Sequence, residues 1–264
     1  MYITVNQHHT YVATGGKDFD RSLPTVVFLH GSGLDHRCWV LQTRWFAFHG
    51  FSVLAPDFPG HSLSGGAPLT SIEAMADWVW TLLDHQGVDQ AVLVGHSQGA
   101  LVALEAAARQ PQRVRGISLI GTAAAIPVNA QLLEMAQQDR PAAAAAMLNW
   151  GFGELHQFGR SAVPGQAPIG IGYRIMCNNP LAVDLQACQD YQGGETAATH
   201  ISAPAQLILA RQDRMTPLQA GRKLAELLPQ GVTQVELDCG HMVPMEAPDA
   251  TLEQLKTHVQ RCYG

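Results

Sequence analysis

Charge is scarce in this chain. Only 14% of its 264 residues are Asp, Glu, Lys or Arg, against a usual share of about 25%. The basic residues number 16 and the acidic ones 22, a formal net charge of −6. There is no basic excess with which to grip nucleic acid or an anionic membrane surface. Long apolar runs are missing too, and no stretch approaches the ~18 residues of a spanning helix. The start, Met1 to Thr10, alternates polar and apolar residues, unlike the basic-then-apolar pattern of a secretion signal. The five cysteines, Cys38, Cys177, Cys188, Cys239 and Cys262, are odd in number and show no C-x-x-C spacing, against both a disulfide scaffold and a metal knuckle. There is no internal repeat. These absences predict a cytoplasmic globular protein with no nucleic-acid or membrane partner. Oligomeric state stays open; a homo-oligomer is neither required nor excluded.

What is present is apolar side chain, 47% of residues, too much for a disordered chain and ample for a core. The length allows one or two domains. Two short β-like runs, 2–6 and 10–14, precede Thr25-Val-Val-Phe-Leu29. That continuous apolar run predicts a strand covered on both faces. Runs of the same kind follow at 51–55, 91–94, 117–120, 206–210 and 234–237. Between them lie helical stretches. Residues 72–86 place apolar side chains at 72, 75, 76, 79, 82 and 83, a helical period. Further helices are predicted at 100–109, 218–228 and 250–259. Such alternation predicts an α/β fold, a mostly parallel sheet with helices on both faces.

Residues 122–203 break the alternation. They hold no good strand, and 128–138, 141–150 and 180–191 read as helices, with Pro141 suited to a first turn. The stretch 151–172 has six glycines and two prolines and reads as irregular. The expectation is a helical insertion, a cap over 122–203, on a core of 1–121 and 204–264.

Gly95-His-Ser97-Gln-Gly99 follows one predicted strand and opens a helix. A serine at such a turn is forced into a strained backbone that exposes its hydroxyl, and the flanking glycines let strand and helix approach. A serine needs a base. Of 12 histidines, His241 lies in Cys239-Gly240-His241-Met242 just after the last predicted strand. The base needs an orienting acid, and Asp213 follows the strand at 206–210. The alternative place for an acid, after 117–120, reads Gly121-Thr-Ala and holds none. Ser97, Asp213 and His241 then stand in the chain order of a nucleophile elbow and its triad. Backbone N–H groups must receive the oxyanion. Gln98, at the helix start, and Ser32, in His30-Gly31-Ser32-Gly33, are the expected donors, with Gly33 as an alternative to Ser32. Cys239 is expected to fill its loop and not to act as nucleophile.

Together with Asp57-Phe-Pro-Gly60-His-Ser-Leu-Ser64 and Gly240-His-Met-Val-Pro-Met-Glu-Ala-Pro-Asp249, these motifs resemble the α/β-hydrolase superfamily over essentially the whole chain. The Asp57 segment departs from the family pattern at Ser62, where a second glycine is usual. The resemblance implies an eight-stranded, mostly parallel sheet with a helical cap inserted after strand six. It does not name a substrate, since the family holds esterases, lactonases, carbon–carbon bond hydrolases and non-catalytic receptors. A serine at 97 disfavours the branches that use an aspartate nucleophile. The expected function is hydrolysis of an ester-like bond of a small, partly apolar substrate through an acyl-enzyme on Ser97, without metal or cofactor. The alternatives are a lactonase, a carbon–carbon bond hydrolase, or a ligand sensor that retains the triad. Trp39, Trp150, Phe152 and Met242 are expected to line the substrate pocket, with Met147 and Phe158 beside them. Arg140, Arg160 and Arg174 of the cap are weighed as contacts for a substrate carboxylate.

Overall fold

The computed structural model describes residues 1–154, 167–228 and 231–264. The chain begins with a hairpin, β1 (Tyr2–Val5) and β2 (His8–Ala13). Asn6 and Gln7 turn it with positive φ, as a two-residue hairpin loop requires. Then follow β3 (Thr25–Leu29), α1 (Val40–Phe48), β4 (Ser52–Pro56), α2 (Ile72–His85), β5 (Ala91–His96), α3 (Gln98–Arg109) and β6 (Val114–Ile120). Among the described residues, five helices come next: α4 (Ala130–Gln138), α5 (Arg140–Gly151), α6 (Pro168–Asn178), α7 (Leu181–Asp190) and α8 (Gly194–Thr199). The chain closes with β7 (Ala205–Ala210), α9 (Leu218–Leu227), β8 (Thr233–Leu237), α10 (Val243–Glu246) and α11 (Pro248–Tyr263).

The eight strands form one sheet in the order β1-β2-β4-β3-β5-β6-β7-β8. Only the β1–β2 and β2–β4 pairs are antiparallel; the remaining pairs run parallel. Strand periodicity divides the core. Val27 and Leu29 join the layer containing α2, α3 and α9. Val26 and Phe28 join the layer of α1, α11, α4, α5, α6 and part of α7. β3, β5 and β7 are wholly buried, as their continuous apolar runs require. β8 differs. It is the sheet's last strand and is partly exposed along its length, because its outer edge has no covering strand.

Two differences from the sequence expectations have physical causes. α6 occupies 168–178, where 151–172 reads as irregular. Its glycines are poor helix formers, yet Ile175 and Met176 are buried. A Cβ at Gly172 would press on Leu148 of α5, so the glycine is what lets the two helices close up. α1 is not foreseen at all: its Val, Thr, Trp and Phe have weak helix propensity, and burial of Phe46 and Ala47 against the sheet stabilises it.

Candidate active site

Ser97 links β5 to α3 with φ 54° and ψ −120°, a conformation costing about 1–3 kcal/mol for a residue with a side chain. The surroundings enforce it. A Cβ on Gly95 would fall on the Gly99 carbonyl, and one on Gly99 on the Leu29 and His30 carbonyls. β5, α3 and β3 thus meet backbone to backbone. The Ser97 N–H donates to the Ile120 carbonyl at 2.9 Å, tying the turn to the end of β6.

His241 and Asp213 come together from the ends of β8 and β7. His241 Nδ1 lies 2.8 Å from Asp213 Oδ2. Asp213 Oδ1 accepts the N–H groups of Met215 and Thr216 at 2.8 Å each, and Oδ2 accepts the Thr216 hydroxyl at 2.7 Å. Burial alone would raise this carboxyl. The His241 ring and the Thr216 hydrogen bonds outweigh it and hold Asp213 below its ordinary value. Asp213 stays ionised, so the Nδ1 proton points at it. That leaves His241 Nε2 as the accepting nitrogen, and it is buried with no partner among the described residues.

The His241 loop is itself clamped. Glu246 of α10 accepts the N–H groups of Gly153, Gly240 and Met242 at 2.8, 3.0 and 3.0 Å. The His241 N–H donates to the Gly151 carbonyl at 2.6 Å, and its carbonyl lies 2.8 Å from His96 Nε2. Burial, then the nearby charge of His241, lowers His96 to about 3, so neutral His96 donates to that carbonyl. Gly121, at the end of β6, would place a Cβ 3.2 Å from it. With φ +54°, this glycine lies against the histidine loop.

On the other side of Ser97 lies the 30–34 turn. The N–H of Ser32 donates to no described residue, and Gln98, as the first residue of α3, has no acceptor within its helix. Gly33 is different: its N–H donates to Asp184 Oδ2 at 2.7 Å. That contact removes Gly33 as the alternative donor. His30 holds the base of the turn, accepting the Phe58 N–H on Nε2 and donating from Nδ1 to the Gly31 carbonyl.

A cavity of about 110 Å³ opens between the sheet and the helices above it, with both Ser32 and Ser97 in its wall. Ile126, Leu132, Met147, Trp150, Leu185 and Met215 make it chiefly apolar. Of the residues expected to line a substrate pocket, Trp150 and Met147 lie in this wall. Trp39, Phe152 and Met242 are not in that wall. All three are fully buried and pack in the same core cluster as the wall residues Leu132, Met147 and Leu185, with Trp39 stacked obliquely on Phe28 at 5.4 Å. Phe158 and Arg160 lie outside the described residues. Arg140 and Arg174 are exposed away from this wall; the arginine in it is Arg214, next to Asp213. Cys239 has no role in the wall, and burial followed by Glu246 pushes its thiol up to about 12.

Asp35, His36 and Asp57 lie close enough to share a cation. Arg37 binds Asp35, while Asp57 accepts the N–H groups of His36 and Leu63. No helix among the described residues is long and apolar enough to cross a membrane.

This geometry coincides with a family pattern. The model of the alpha/beta hydrolase fold matches residues 24–248. The chain belongs to the α/β-hydrolase fold family. A pimeloyl-[acyl-carrier protein] methyl ester esterase of Aromatoleum aromaticum is 31% identical over 248 residues, 86% of this chain and 94% of that one. A 2-hydroxymuconate semialdehyde hydrolase of Pseudomonas putida is 28% identical, over 74% of this α/β hydrolase and 72% of the relative. Among solved structures, an enol-lactonase of Burkholderia xenovorans superposes with a TM-score of 0.86, covering 98% of this chain and 100% of its own at 24% identity, a likeness of fold.

Proposed function

We propose that this α/β hydrolase cleaves an ester-like bond of a small, partly apolar substrate through an acyl-enzyme on Ser97. The observation that carries the reading is the oriented imidazole. Asp213 Oδ2 lies 2.8 Å from His241 Nδ1, and Nε2, which has no partner among the described residues, is left free to take the proton of Ser97 once the hydroxyl turns to it. Ser97 attacks the carbonyl, and His241 takes its proton and returns it to the leaving alcohol. The oxyanion is received by the N–H groups of Ser32 and Gln98, preplaced donors typically worth about 3 kcal/mol each. Water, deprotonated by His241, then releases the acid. Asp213 stabilises the imidazolium in both halves and is not itself protonated. The apolar wall around Met147 and Trp150 takes the acyl or alcohol group.

Support also comes from the relatives, which include an ester hydrolase at 31% identity. The names of others keep lactone hydrolysis and related bond cleavage in view as the second reading. Comparison of kcat/KM for p-nitrophenyl esters, lactones and vinylogous diketones separates these. Ser97→Ala is expected to lower kcat for the preferred class at least ~10⁴-fold with the fold intact. Near-wild-type turnover by that variant refutes the proposal. A fluorophosphonate that labels Ser97, with no turnover across the panel, would instead identify a sensor.

A further inference from the structure

Asp184 and His61 form a wholly buried pair that the chemistry above does not use. Asp184 sits on α7, in the helical segment above the sheet, and is fully inaccessible. Its Oδ2 accepts the Gly33 N–H at 2.7 Å and lies 2.9 Å from His61 Nε2. His61 Nδ1 faces the Pro59 carbonyl at 3.1 Å. Both ring nitrogens thus face acceptors, which calls for two N–H groups and an imidazolium paired with a carboxylate. His30, the ring neighbour at 5.0 Å, makes the opposite arrangement, one nitrogen accepting and one donating. Buried charges are costly unless paired and hydrogen-bonded. Of this pair's bonds one, from the Gly33 N–H to Asp184 Oδ2, reaches the turn that carries Ser32, while Asp184 Oδ1 has no partner among the described residues.

The rest of the same segment converges there. Asn179 Nδ2 donates to the carbonyls of Gly33 and Leu34 at 3.0 and 2.8 Å, and its Oδ1 accepts the Ser62 N–H at 2.8 Å. The Asp184 carbonyl accepts Gln98 Nε2 at 3.1 Å. Gly33, at φ 67°, is therefore held at both of its flanking peptides, by a carboxylate on the N–H of Ser32–Gly33 and a carboxamide on the C=O of Gly33–Leu34. A Cβ there would run into Leu181. The Leu34 N–H closes the same turn on the Gly31 carbonyl at 3.0 Å, and the α7 contacts hold the Ser32–Gly33 peptide of that closed turn from outside the sheet.

We infer that Asp184 is a positioning residue for the oxyanion hole. By fixing the Gly33 amide, with Asn179 on its carbonyl and His61 as counter-charge, it aims the neighbouring Ser32 N–H into the Ser97 cavity. Oxyanion stabilisation then depends on the seating of α7 upon the sheet. The inference rests on the acyl-enzyme reading above.

The test compares wild type, Asp184→Ala, Asp184→Asn and Asn179→Ala on a p-nitrophenyl ester, with active sites counted by fluorophosphonate labelling. Affinity for a trifluoromethyl ketone, whose adduct on Ser97 carries an oxyanion, is measured alongside. Asp184→Ala is expected to lower kcat per labelled site by ~10²-fold, the scale of one lost oxyanion donor, at little-changed KM, and to weaken the ketone similarly. Asp184→Asn still offers Gly33 an oxygen and is expected to recover most of the loss. If the alanine variant does not fold, Asn179→Ala carries the test, with an expected ~10-fold loss in kcat at unchanged KM. Unaltered kcat and ketone affinity in folded variants overturn the inference, as does a loss confined to KM or to thermal stability. Failure of the underlying reading looks different: wild-type Ser97 resists labelling and Ser97→Ala keeps its activity.

Discussion

At the scale of single residues, the site depends on which tautomer His241 adopts. Asp213 fixes it, and Thr216 fixes Asp213 through both its N–H and its hydroxyl. Asp213→Asn keeps the shape but removes the acceptor that holds Nδ1–H, so the imidazole flips its proton to the wrong nitrogen. The expected result is a fall in kcat of about 10⁴-fold, with the melting temperature nearly unchanged. Steady-state kinetics on a p-nitrophenyl ester reads it directly, and a loss below tenfold would show that Asp213 does not orient the base. Cys239 sits two residues from His241 but is buried with its thiol held protonated. The same position in the loop therefore suits packing and not nucleophilic attack.

At the scale of elements, the short helix α10 does more than connect β8 to α11. Its Glu246 gathers three backbone N–H groups, from Gly153 beyond α5 and from Gly240 and Met242 on either side of the base. Each buried donor left without an acceptor costs about 1–3 kcal/mol. Glu246→Ala is therefore expected to cost at least about 3 kcal/mol, or roughly 6–12 °C in melting temperature for a chain of this size. Calorimetry checks the shift. A drop of under 2 °C would mean that the loop holds His241 without this clamp. The elements also show where sequence patterns stop being informative. α2 and β3 carry their period or their β-branched run within a few residues, and both lie where the sequence places them. α6 does not, because its glycines answer to Leu148 on another helix.

At the scale of the whole molecule, buried histidines set the response to acid. Burial, reinforced by the neighbouring His61, lowers His30 to about 4, and His96 lies at about 3. Both stay neutral in the fold while the unfolded chain takes up protons below its ordinary value of 6.5. Folded values below unfolded ones mean stability that is present above pH 6.5 and lost as pH falls toward 4. His61 works the other way. Burial opposes its proton, but Asp184 outweighs burial and raises it, so its contribution is complete below 6.5 and adds no slope there. Burial lowers His258 to about 4 as well, and three groups at roughly 1.4 kcal/mol per pH unit each predict a loss of roughly 6 kcal/mol between pH 7.5 and pH 5, less what His61 gains as pH falls to 6.5. Urea unfolding at the two pH values measures it, and equal midpoints would refute it.

The sequence by itself determined the sheet, the elbow and the order of Ser97, Asp213 and His241. Those signals are local: β-branched runs, glycines on either side of a turn, a histidine directly after a strand. Trp39, Phe152 and Met242 showed the limit of such reading. An apolar side chain near a motif packs the core or faces a cavity according to what folds over it: these three are buried and outside the wall, while Met147 of the same cluster is in it. Arg214, Glu246 and Asp184 were not legible for the same reason. Asp184 meets Gly33 across 151 positions of sequence, and no local period encodes that contact. Only the tertiary structure decided that the amide of Gly33 is taken by Asp184, because that contact exists only in the packed fold.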